Sequence, residues 1–119
     1  MDTKRLEQCV YDFREGGEKN GHLLFQARLF ERGRPRSEYN LWLSTLNSVL
    51  TCKVDSFDRG HGFAYEILKR TIPERLEQIA RDHGPFTHNV EFTPQGRIFK
   101  DLIGSLGYQE KGNFLVKDY

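Results

Sequence analysis

The period of the apolar residues changes near residue 60, and this change constrains the fold more than any other feature. Upstream of it, apolar and polar residues alternate in three runs, which cover residues 22–30, 39–45 and 48–54. Downstream, from Phe63 to Ala80, apolar residues recur at helical spacing. Because strands with short connections pair with their neighbours, the sequence predicts an antiparallel meander, with a loop over 32–37, followed by a long helix.

The remaining elements are marked by glycine and proline. His83-Gly84-Pro85 ends the long helix, and Pro73 inside it predicts a kink, with a restart at Thr71 as the alternative. A strand over 86–92 follows. Thr93-Pro94 then starts a helix with an apolar stripe over 98–106, which Gly107 closes, and 114–116 form a last short strand.

The N-terminal residues 3–15 fit two patterns. Leu6, Cys9, Val10 and Phe13 share one helical face, and Gly16-Gly17 would stop such a helix. Cys9, Tyr11 and Phe13 also alternate, so a strand is the alternative. With the helix preferred, we expect one α/β domain over 1–119 in the order α-β-β-β-α-β-α-β, with a mixed, mostly antiparallel sheet flanked by helices.

The charge balance excludes some classes of protein. Eighteen Lys and Arg face 17 Asp and Glu, a net charge of +1, so we expect no nucleic-acid partner and no membrane surface. No apolar run is long enough to span a bilayer, and no signal peptide is evident, so the cytoplasm is the expected location. Cys9 and Cys52 are isolated, which predicts neither a disulfide framework nor a metal site.

The segment 52–64 is the most informative for function. A strand ends in a loop with Gly60 and Gly62, and the loop leads into the long helix. The first N–H groups of a helix lack internal acceptors, the helix dipole is positive there, and glycine allows close approach of a phosphate. A tight strand–helix turn with no ligand would need the same glycines, so this feature alone leaves both interpretations open.

The residues Arg59-Gly60-His61-Gly62-Phe63-Ala64 match the pattern Gln/Arg-x-x-Gly-x-Gly/Ala. This segment resembles the signature of the GNAT superfamily, the acetyl-CoA-dependent N-acyltransferases. Ala80-Arg81-Asp82-His83-Gly84 and Leu106-Gly107-Tyr108 are similar to the ends of that family's helices. The resemblance covers roughly residues 22–119 and places the signature after the third antiparallel strand.

The resemblance implies a cofactor site. Main-chain amides from Arg59 to Ala64 (Gly60, His61, Gly62 and Phe63 lie between them) would hold the pyrophosphate of acetyl-CoA. The strand at Cys52 and Val54 would pair with the pantetheine arm and diverge from the strand over 86–92. Asn89 on that second strand would contact the cofactor or the acceptor. An amine acceptor would then attack the thioester directly.

The sequence also departs from the family pattern. Residues 1–21 are a reduced N-terminal region, so the acceptor is not identified. The family's general-acid tyrosine corresponds to Ile103, and its usual asparagine corresponds to Gly96. Candidates for the general base are Glu91 and His88 on the second strand and Asp55 after the first, and a solvated strand face is the alternative for each.

Two other classes of function stay open at this stage. A GNAT-like domain without turnover would bind CoA or a protein partner as a regulator, and a small protein-binding domain would bind no cofactor. Acetyl-CoA should stabilise both CoA-binding forms, whereas only an enzyme releases CoA thiol in the presence of an amine. An uncovered sheet edge at the last strand also leaves a homodimer open.

Overall fold

The computed structural model describes residues 3–57, 60–91, 101 and 103–119. Its helices and strands follow the chain in the order α1 Thr3–Glu7, β1 Val10–Lys19, β2 His22–Glu31, β3 Arg34–Ser44, β4 Val49–Ser56, α2 Phe63–His83, β5 Thr87–Glu91, β6 Gln109–Lys111 and β7 Phe114–Asp118. No helix among these residues is long and apolar enough to cross a membrane.

The strands form one seven-stranded sheet in the order β1-β2-β3-β4-β5-β7-β6. All neighbours are antiparallel except β4 and β5, which are parallel and are connected by α2. The prediction of an α/β fold with a mixed, mostly antiparallel sheet is therefore confirmed. The sheet gains β6, which was not expected, and β1, which was only the alternative for the N-terminal segment.

The N-terminal helix prediction is wrong after Glu7. Residues 10–19 form β1, which pairs with β2 along its whole length, so the strand alternative is correct there. Gly16-Gly17 does not stop an element. The register shifts between Glu15 and Gly17, so the pair is absorbed as a β-bulge, and Gly17 has φ 81°. The N-terminal region thus contributes an edge strand.

Three further expectations are corrected. The loop over 32–37 is a two-residue turn at Arg32-Gly33, because β3 already begins at Arg34. The alternative of a helix restart at Thr71 is wrong, because Pro73 lies inside the continuous α2. The last strand, β7, is not a sheet edge, because β5 and β6 flank it on either side. Among the strands that the structure describes, β1 and β6 lie at the edges of the sheet.

The core lies between one face of the sheet and α2. Alternate residues of β2 and β3 are buried on this face, among them Phe25, Ala27, Leu29, Tyr39 and Leu41. Helix α2 contacts β2, β3 and β4 and contributes Phe63, Ile67, Ile72, Leu76 and Ile79 to the core. Burying each such side chain contributes about 1.5–3 kcal/mol, so α2 is held on the sheet with its N-terminus at the end of β4.

The helix predicted after β5 falls largely outside the described residues. Thr93-Pro94, Gly96 and Leu102 all lie there. Residues 103–105 are helical, and Gly107 has φ 92°, so the left-handed end of this helix at Gly107 is confirmed.

Candidate functional site

Strands β4 and β5 separate after a short contact. Only the pairs Val49–Thr87 and Leu50–His88 join them, although β4 continues to Ser56 and β5 to Glu91. Where the pairing ends, the Cys52 Sγ atom lies 3.7 Å from the main-chain oxygen of Asn89. The two central strands therefore leave a gap between them, which we call the strand gap, with Cys52 and Asn89 at its closed end.

The main chain of β4 faces the strand gap at alternate residues. The Ser48 oxygen accepts a hydrogen bond from the Thr87 N–H, so Ser48 is directed towards β5. Peptide groups alternate sides along a strand, and Cys52 and Val54 therefore point their N–H and C=O groups the same way. β3 pairs with the opposite side of β4 at Cys52 and Val54. On the side that faces the strand gap, no strand among the described residues pairs with β4 at these two residues.

The loop between β4 and α2 presents main-chain donors beside the strand gap. Gly60 and Gly62 have φ values of 88° and 81°, a conformation that favours glycine. The first hydrogen bond of α2 joins the Glu66 N–H to the Gly62 oxygen, so the N–H groups of Phe63 and Ala64 are not used within the helix. Arg59, which the sequence analysis placed at this loop, lies outside the described residues.

Arginine side chains from α1 and β3 pack against Phe63, the residue that follows this loop. The buried Phe63 ring has the guanidinium groups of Arg5 and Arg36 at 5.1 and 5.7 Å. Arg5 also lies 3.3 Å from the exposed His61 ring. Both arginines pair with Glu31, and hydrogen bonding to Arg5, with the charge of Arg36, lowers the pKa of that carboxyl to about 2. The loop therefore lies next to two arginines that share the Glu31 carboxylate.

His88 does not face an open cleft, contrary to the expectation of a general base there. Its side chain is fully buried. Its Nε2 lies 3.0 Å from the Tyr39 hydroxyl, and its Nδ1 lies 2.6 Å from the Tyr108 hydroxyl. Burial lowers the pKa of His88 to about 3. The imidazole is neutral at physiological pH and has no direct contact with solvent.

The other proposed site residues are placed as follows. Asn89 is half-buried beside the strand gap, with its main-chain oxygen at the closed end. Asp55 lies 3.8 Å from Lys53 in an exposed ion pair, directly opposite Glu38 on β3. Glu91 pairs with Phe114 through its main chain. Cys52 and Asn89 thus meet at the closed end of the strand gap, whereas His88 lies in the core and Asp55 in an exposed ion pair.

Sequence reasoning missed a row of tyrosines behind His88. The Tyr108 hydroxyl lies 2.6 Å from that of Tyr119. Tyr108 was noted only as part of Leu-Gly-Tyr. Ile103, at the position of the family's general-acid tyrosine, is fully buried. Nothing in the local pattern links Tyr39 to His88, because 49 positions separate them.

No protein-family model matches this chain, and no curated protein matches it significantly.

Proposed function

We propose that this protein is a GNAT-like N-acetyltransferase that moves the acetyl group of acetyl-CoA to a primary amine. The strand gap carries the proposal, because it opens between the two central strands and lies beside the glycine loop at the N-terminus of α2. The sequence signature and the gap are independent observations, and both favour an extended ligand that ends in a phosphate group.

Different residues would bind different parts of acetyl-CoA. The pyrophosphate would accept hydrogen bonds from the main-chain amides of Gly60 to Ala64, with the helix dipole and nearby arginines favouring its charge. The pantetheine arm would extend along Cys52 and Val54. The thioester would then lie towards the closed end of the gap, where an amine attacks its carbonyl carbon. Catalysis would rest mainly on positioning.

A domain that binds CoA without turnover is the second candidate. The observation in its favour is that Ile103 is buried where the resemblance places a general acid, and that His88 has no access to solvent. Both candidates require acetyl-CoA binding. We expect either activity in the cytoplasm, since both cysteines are free.

Calorimetry with acetyl-CoA tests the shared part of the proposal. Acetyl-CoA at about 100 times its dissociation constant should add about 2.7 kcal/mol to the free energy of unfolding. For a domain of this size, that gain raises the melting temperature by about 10 °C. No binding and no thermal shift at millimolar acetyl-CoA would refute both candidates. Release of CoA thiol in a screen of primary amines then separates the enzyme from the binding domain.

A change of charge at His61 tests whether the phosphates of acetyl-CoA bind at this loop. His61 is exposed and needs no positive φ, unlike Gly62, where any side chain would strain the main chain. His61→Glu should weaken acetyl-CoA binding at least tenfold, because a carboxylate repels the phosphates. His61→Gln is the matched control and should stay within about threefold of the parent. Equal affinities in the two variants would place the phosphates elsewhere.

A further inference from the structure

Strand β1 has a second strand on one side only. It is 10 residues long and lies at the end of the sheet, where β2 is its single neighbour among the strands that the structure describes. The outer side of such a strand presents N–H and C=O groups in the geometry that another strand requires. The outer side of β1, which we call the β1 edge, is therefore a surface to which a further strand can be added.

The hydrogen bonds of the meander identify which main-chain groups lie on the β1 edge. The Gly21 oxygen accepts a hydrogen bond from the Thr45 N–H, which follows β3. Because peptide groups alternate sides along a strand, the odd-numbered residues of β2 face β3 and the even-numbered ones face β1. Even-numbered residues of β2 lie opposite Asp12 and Arg14, so these two residues face β2. The residues between and beside them, whose N–H and C=O groups point outwards, are Tyr11, Phe13 and Glu15.

The charges of β1 are complementary to those of a second copy of the same strand. Asp12 and Arg14 form an ion pair at 2.9 Å, and their side chains are 42% and 61% exposed. In an antiparallel pair of β1 strands centred on Phe13, Asp12 of each copy lies opposite Arg14 of the other, and opposite charges in such positions attract. A pair centred on Asp12 or on Arg14 would place like charges opposite each other. Of these three registers, the one centred on Phe13 is the one that the charges favour.

The same register brings an acceptor to Arg75 of α2. The Arg75 guanidinium carbon lies 5.8 Å from the centre of the Tyr11 ring and 5.1 Å from that of Phe13. Its Nε atom is buried and has no hydrogen-bond partner among the described residues, which is unfavourable. The exposed Glu15 lies on the same face of β1 as the two rings, since it is opposite the buried Phe25. In a pair centred on Phe13, Glu15 of the second copy lies opposite Tyr11 and offers its carboxylate to this guanidinium.

We propose that the β1 edge is a homodimer interface, in which the β1 strands of two copies pair antiparallel about a two-fold axis at Phe13 and join their sheets into one. Such an interface uses the same surface on both copies, as two-fold dimers do. The pairing covers residues 11–15 and ends at the bulge between Glu15 and Gly17, where the strand changes register. Strands β2, β3 and β4 separate the interface from the strand gap, so the inference goes beyond the proposed acetyl transfer and does not depend on it.

A charge swap tests the register by sedimentation equilibrium over about a hundredfold range of protein concentration. Asp12→Arg and Arg14→Asp each place like charges opposite one another, so each should raise the dissociation constant of the dimer at least tenfold. The double variant restores the alternation and should return within about threefold of the parent, which a misfolded single variant could not explain. Lys53→Glu is the matched control. It changes the net charge as much as Arg14→Asp does, in an exposed ion pair with Asp55 on β4, and should stay within about twofold of the parent.

Amide hydrogen exchange by NMR locates the interface. The N–H groups of Tyr11, Phe13 and Glu15 should exchange at least tenfold more slowly in concentrated than in dilute protein, whereas those of Asp12 and Arg14, which face β2, should be protected at both concentrations. A monomer at every concentration would overturn the proposal, as would a dimer whose three outward amides exchange as in dilute protein. A double variant no better than the single ones, or an equal loss in Lys53→Glu, would also contradict it. None of these measurements uses acetyl-CoA, so they leave the proposed acetyl transfer to its own test.

Discussion

Acid should destabilise this fold through one buried imidazole. The pKa of His88 is lowered by burial from 6.5 to about 3, so the folded protein favours the neutral ring and the unfolded chain takes up a proton first. The stability that this group contributes is fully present above pH 6.5 and is lost as the pH falls towards 3. Between pH 8 and pH 4.5 the loss amounts to about 3 kcal/mol, because pH 4.5 lies about two units below the pKa of the unfolded chain and each unit contributes about 1.4 kcal/mol.

The surroundings of the ring do not offset this loss. The imidazole is contacted by Tyr39 from β3 and by Tyr108 and Tyr119 from the C-terminal segment, whose side chains are uncharged. Lys117 of β7 lies opposite His88 in the sheet and would repel an imidazolium.

Urea unfolding at pH 8 and pH 4.5 measures the effect. The parent should lose about 3 kcal/mol more between the two pH values than His88→Gln does, because the amide does not titrate. A drop of about 10 °C in melting temperature should accompany that loss in the parent. An equal pH dependence in parent and His88→Gln would show that the imidazole is already solvated in the folded state, and the reasoning would be wrong.

Four other substitutions test the packing and the main-chain conformation. Phe63→Ala should lower the free energy of unfolding by about 3–5 kcal/mol in urea melts, because the ring is fully buried between α2 and the sheet. Arg70→Met removes two 2.7 Å hydrogen bonds to main-chain oxygens near the end of α1, so it should cost about 1–3 kcal/mol and speed amide exchange in α1. Gly17→Ala should lower the free energy of unfolding by about 1–2 kcal/mol, because Gly17 has φ 81°. Gly104→Ala should raise the free energy of unfolding by up to about 1 kcal/mol in calorimetry, because Gly104 is helical and its added methyl group would meet no other atom.

The strands of the meander and α2 were predictable because their apolar periods differ and one face of each is buried. The N-terminal segment was not predictable, since the spacing of Leu6, Cys9 and Phe13 fits a helix while the alternation of Tyr11 and Phe13 fits a strand. Pairing with β2 and packing of Arg75 over both rings decide the outcome. Strand β6 is three exposed polar residues and has no apolar pattern to detect.

The site was predictable only as far as the loop. Gly60 and Gly62 are visible in the sequence, and their positive φ values agree with a loop that needs glycine. The burial of His88 was not visible, because it depends on Tyr39 and Tyr108, which come from distant parts of the chain. A histidine on a short strand has the same local sequence whether it faces solvent or the core.

The two-residue contact between β4 and β5 also bears on how the chain folds. Strands β1 to β4 are consecutive antiparallel neighbours, so their pairing closes only short loops and costs little entropy. β5 can pair with β4 only after the long connection through α2 has brought the two strands together. This connection costs loop entropy, and only two residue pairs between β4 and β5 are gained. We expect the transition state for folding to contain the meander with α2 on it, and the attachment of β5 and β7 to follow. Substitutions in β7 should therefore speed unfolding and leave the folding rate almost unchanged.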